Sequence, residues 1–193
     1  MQKRFCCLLI FIGIFSWSVT SSAHPHIFIT PRAHFAFSGK ICTFFSVRWH
    51  FDAMSTLELV GTEAINTTLA LNGSQQKEIL ALEGFPRPEQ LHHYIQVEID
   101  GSKAAVLAPA AVSLAVNEGR LVYAFTIGVY RPVKETIKIW FNDPSSFIAY
   151  ETNAGFFTVS QTAGSLPSLR CTHEQYSDRI NIRVNRGGIS HDN

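Results

Sequence analysis

The chain has 193 residues, 46% of them hydrophobic and 16% charged, with 16 Lys+Arg against 15 Asp+Glu. That length buries one sizeable core, and a net charge of +1 excludes a disordered polyelectrolyte and a strongly basic nucleic-acid binder alike. A single long apolar run excludes a polytopic membrane protein.

That run opens the chain. Gln2-Lys3-Arg4 is basic, Phe5 to Trp17 is almost wholly apolar, and Ser21-Ser22-Ala23 fits a small-x-small cleavage site. The apolar stretch is shorter than the ~20 residues a bilayer requires. Residues 1–23 therefore read as a signal peptide cleaved after Ala23, with residues 24–186 as one exported domain and 187–193 as a flexible tail. The mature chain keeps 14 basic and 15 acidic side chains and no integral membrane span. Its two cysteines, Cys42 and Cys171, suit a disulfide in an oxidising compartment, worth about 4–5 kcal/mol in the chain-entropy model. Two thiolate metal ligands are the alternative, although no C-x-x-C spacing supports them.

Residues 26–52 alternate as a β-hairpin whose two arms both place their apolar set on odd numbers, with Phe28 and Phe44 as exceptions. Directly paired residues share a face, so the pair sum is even, and a three-residue loop Ser38-Gly39-Lys40 satisfies that. This register predicts His26 opposite Asp52 and Phe28 opposite His50, with His26, His50 and Asp52 on one face. Residues 53–84 change to helical spacing, over Ser55 to Val60 and Ser74 to Leu82, broken at Asn72-Gly73. Strands resume at Tyr94 to Ile99, turn at Asp100-Gly101 into Ala104 to Leu107, and continue at Val112 to Val116 and Leu121 to Val129 around Asn117-Glu118-Gly119. Thr136 to Phe141 and Phe147 to Glu151 flank the turn Asn142-Asp143-Pro144-Ser145, and Ile180 to Val184 is one more strand. The expected fold is mainly β (α+β): antiparallel sheets in a sandwich-like single domain with one helical insertion.

The mature start, His24-Pro25-His26, is the most informative chemistry. A free α-amino group beside imidazoles chelates borderline metals. Pro25 has no N–H, which blocks the square-planar mode that needs a deprotonated second amide. His50 and Asp52, two apart on a strand, point the same way and complete a mixed nitrogen and oxygen set with His26. Weaker candidates are Asp143, equally readable as a turn former, and His173, near Cys171. His92 and His93, read as strand neighbours, point to opposite faces, and His34 and Glu151 read as surface residues. G-x-S-x-G, H-E-x-x-H, Walker and dinucleotide motifs are all absent, so the chain reads as a binding protein and not an enzyme.

Four segments in this order resemble a known family. They are Ala23-His24-Pro25-His26-Ile27-Phe28, Trp49-His50-Phe51-Asp52, Tyr94-Ile95-Gln96-Val97-Glu98-Ile99-Asp100-Gly101 and Phe141-Asn142-Asp143-Pro144-Ser145-Ser146-Phe147. Together they look like the exported proteins of domain-of-unknown-function family 1007, over roughly residues 23 to 152. Within the second segment His50 departs from the family, where a small or hydroxylated residue is commoner. The resemblance implies a periplasmic accessory protein of zinc, nickel or cobalt transport that works beside an inner-membrane permease. By motif it points to His24, His26, Asp52 and Asp143. Two other readings stay open: a metal-free structural or regulatory partner of the permease, and a copper-handling protein with an N-terminal His site in which His50 faces His24.

Overall fold

Strands β1 (Ile27–Ser38) and β2 (Ile41–Phe51) form the expected hairpin, with the odd residues inward along β1 and from Phe45 onward in β2. The computed structural model describes residues 27–64, 67–143, 147–161, 168–173 and 179–185. The hairpin loop is shorter than expected. Ser38 pairs with Ile41, so the turn is Gly39-Lys40, and Gly39 takes the positive φ of +58° that a tight two-residue turn needs. The odd residue is absorbed as a β-bulge at Thr43, whose hydroxyl donates to the Ala36 carbonyl at 3.1 Å. The register beyond the bulge is therefore displaced by two residues. Thr30 pairs with His50, and the Asp52 amide donates to the Phe28 carbonyl at 3.0 Å, in place of the expected His26–Asp52 and Phe28–His50 pairs. A two-residue slip preserves the faces beyond the bulge; before it they reverse, so Cys42 is buried and Ile41 is 44% exposed, opposite to the expected odd-numbered set.

The insertion contains α1 (Ala53–Val60) and α2 (Gly73–Leu80), joined by a 3-10 turn and the two-residue strand β3 (Leu69–Ala70). Asp52 ends β2 and caps α1, accepting from the Ser55 amide at 2.7 Å. The buried Thr56 hydroxyl donates to the Asp52 carbonyl and accepts from the Leu121 amide, fastening α1 to the strand Arg120–Pro132. Asn72-Gly73 is the start of α2, and Asn72 and Gln75 form a capping box there.

The remaining strands are β4 (Ile95–Ile99), β5 (Ser102–Lys103), β6 (Ala110–Asn117), β7 (Arg120–Pro132), β8 (Thr136–Phe141), β9 (Ile148–Tyr150), β10 (Phe157–Gln161), β11 (Ser168–His173) and β12 (Arg179–Asn185). One sheet runs β10-β1-β2-β7-β6-β3, with β9 also on β1, and the other runs β11-β12-β8-β4-β5. The expectation of purely antiparallel sheets is corrected at one edge, where β9 and β10 both pair with β1 in parallel. Ala104 to Leu107 is not a continuous strand. It leaves β4 after the Ala104 amide donates to Val97 and reaches the first sheet, where the Leu107 amide donates to the Gly128 carbonyl.

Inward residues of β1, β2 and β7 share one apolar core with Ile95, Val97, Ile99, Ile137, Ile139 and Phe141 of the second sheet. Trp49 sits at its centre. Its ring lies edge-on to Tyr123 and Phe125 of its own sheet and to Phe141 of the other. Such edge-to-face contacts suit the aromatic quadrupole and make Trp49 the pin between the layers.

Candidate functional site

Ala23, His24 and His26 lie outside the described residues. The described chain begins at Ile27, whose buried side chain lines a hollow of about 430 Å³ with Ser55, Glu58, Leu59, Glu83 and Phe147 among its walls. Glu58 comes from α1 and Glu83 from the segment after α2, so capping of both helices positions two exposed carboxylates there. His26 precedes Ile27 in the sequence. Neither glutamate stands out in the sequence, because they are far apart, Glu58 on an ordinary polar helical face and Glu83 in the turn after α2.

The other candidates separate. Asp52 is committed through Oδ1 to the Ser55 amide, the role of a helix cap. His50 faces outward beside Thr30 and Val122. Its pKa is pushed down to about 4, by burial first and then by Arg32, Arg48 and Arg120, and its Nε2 is buried with no hydrogen-bond partner. Three guanidiniums that oppose a proton on this imidazole also oppose a divalent cation there. Asp143 is buried and accepts from the amides of Phe147 and Ile148 at 2.8 and 2.7 Å, so its carboxylate holds the chain reversal onto β9. Burial and the Asp143 carboxylate together raise the phenols of Tyr94 and Tyr150. Among the described residues, no three His, Cys, Asp or Glu side chains are grouped as a metal cage would require.

Cys42 is a buried free thiol in the first sheet, and burial pushes its pKa up to about 12. Cys171 pairs with Ile182 in the second sheet; its side chain lies outside the described residues, as does that of His173. His92 and His93 are not strand neighbours but end a 3-10 helix, Pro88–His93, where their rings approach to 3.8 Å between centroids. His34 links strands: Nδ1 and Nε2 lie 2.8 and 2.7 Å from the hydroxyls of Thr158 and Ser160 on β10.

A β-rich sandwich with a capped helical pair beside the start of β1 defines the class of protein. The family described as "Protein of unknown function (DUF1007)" matches residues 7–181, and the chain belongs to it. The match runs past residue 152, where the motif resemblance stops, and takes in β10, β11 and the start of β12. No curated protein matches the chain.

Proposed function

We propose that the protein is a periplasmic accessory protein that binds a divalent transition metal, zinc first and nickel or cobalt next, and works with an inner-membrane metal permease. The observation that carries this reading is the junction of His24-Pro25-His26 with Ile27, a wall residue of the hollow that also presents Glu58 and Glu83. Imidazole nitrogen with carboxylate oxygen is a donor set suited to zinc. An open, carboxylate-rimmed site releases its metal readily, as a transfer protein requires. Asp52 supports the site by capping α1, the helix that carries Glu58.

The test is isothermal titration of the protein beginning at His24 with zinc, nickel, cobalt and copper, beside a His24→Ala/His26→Ala variant. Binding lost in the variant supports the reading and ranks the metals. Equal binding in both proteins overturns it. A metal-free partner of the permease is the second reading. It is favoured by Met54 in the first turn of α1 and Leu82 just after α2, which are 73% and 42% exposed, as interaction residues would be. The copper reading loses support because His50 pairs with Thr30 among three guanidiniums.

A further inference from the structure

Arg32 of β1 and Arg48 of β2 stand directly opposite each other on the outer face of the hairpin. Like charges in that position destabilise a strand pair. Among the described residues, no ion pair offsets them. The outward positions of β1, β2, β7 and β10 hold no Asp or Glu, and on its other side Arg48 meets Ala124. Arg120 adds a third cation on the same face, and none of the three has an ion-pair partner among the described residues. Of the carboxylates beside the hairpin, Asp52 caps α1 through Oδ1, and Glu151, whose amide donates to the Ile29 carbonyl, forms no ion pair with the arginines.

The two arginines line a hollow of about 440 Å³. His34, Ser46, Thr158 and Phe156 complete its walls. Arg32 lies over the Phe156 ring at 5.1 Å, which holds its guanidinium at the rim. His34 pairs with Ser46 on β2 and Thr158 on β10, so a row of polar groups runs beside the arginine pair. The His34 ring engages the Thr158 and Ser160 hydroxyls through its two nitrogens, which orients that wall.

We propose that this hollow is a binding site for a phosphate group, held between the guanidiniums of Arg32 and Arg48. Guanidinium forks recognise oxyanions by paired, charge-assisted hydrogen bonds. A tetrahedral phosphate presents oxygens to both strands and to the hydroxyl wall at once. A planar carboxylate fills one fork and leaves the other unmet. The site is independent of the metal-binding reading, and it serves equally a free phosphate or a lipid headgroup at the membrane that houses a permease.

The test is titration of the protein beginning at His24 with inorganic phosphate in an amine buffer at fixed ionic strength. An Arg32→Gln/Arg48→Gln variant and an acetate titration run in parallel. Loss of two charge-assisted contacts should weaken phosphate about tenfold or more. The variant should melt no lower than the wild type without phosphate, because the like-charge pair is gone. Vesicles of phosphatidylglycerol and of phosphatidylcholine distinguish the sources. Sedimentation with the anionic vesicles alone, reversed by free phosphate, assigns a headgroup; phosphate binding without sedimentation assigns a soluble ligand. Equal phosphate binding by both proteins, or acetate binding as tight as phosphate, overturns the proposal. Should the variant not fold, the guanidinium NMR signals of Arg32 and Arg48 in the wild type decide: signals unmoved by phosphate overturn it.

Discussion

The same hairpin carries two regions of opposite charge. At the start of β1, Ile27 joins Glu58 and Glu83 around one hollow, while midway along the strand Arg32 and Arg48 rim another. A near-neutral chain conceals this segregation. The acidic hollow is assembled by helices that follow β2. The basic face needs only a strand register. Net charge thus says little about what each face attracts, and local topology says most of it.

The comparison breaks most completely if the sandwich between the two regions loosens. Trp49→Ala removes the ring that touches Tyr123 and Phe125 on one sheet and Phe141 on the other. The expected loss is about 3–5 kcal/mol, read from urea unfolding, with zinc and phosphate binding weakened together. A variant that loses only one ligand would show that the two regions do not share a frame.

Asp52 sharpens the acidic side. Asp52→Ala removes the cap on α1 and should cost about 1 kcal/mol in thermal or urea unfolding. Asp52→Asn keeps an equally good cap and removes the charge. With Asp52 acting as a cap, the Asn variant binds zinc like the wild type while phosphate binding is untouched by either change. A tenfold loss of zinc affinity in Asp52→Asn would make this carboxylate a ligand instead.

The smallest effect is read from pH on the basic side. His50 is held down to about 4, whereas an ordinary imidazole titrates near 6.5. As pH falls, the unfolded chain takes up this proton first. The stability contributed by neutral His50 is therefore complete above the ordinary value and is lost as pH drops towards the folded one. Partial exposure and solvent screening keep the effect modest. His50→Gln should flatten the fall in urea midpoint between pH 6.5 and 4.5. In the wild type, phosphate should raise the His50 titration midpoint, followed by NMR of its ring protons, because a bound anion offsets the guanidiniums.

Much of this was legible in the residues. Period-two alternation in 26–52 identified the buried face, and the helical spacing within 53–84 found both helices. Parity alone could not tell a three-residue loop from a two-residue turn with a bulge, since both keep the same faces beyond the bulge. That ambiguity hid the basic site. In the expected register Arg32 meets Ser46, and only the observed slip brings it opposite Arg48. Asp52 was read as a strand residue because its neighbours alternate, although the position just before a helix equally marks a cap. The parallel strands β9 and β10 and the meeting of Glu58 with Glu83 are nonlocal and leave no local pattern. The histidines of the expected mature start lie outside the described residues.

The most direct measurement is zinc titration of two variants side by side, both beginning at His24: Glu58→Gln/Glu83→Gln and Arg32→Gln/Arg48→Gln. Two separate regions predict that zinc affinity falls in the glutamate variant and is retained in the arginine variant. Retained affinity in the glutamate variant, or an equal loss in both, would contradict the account.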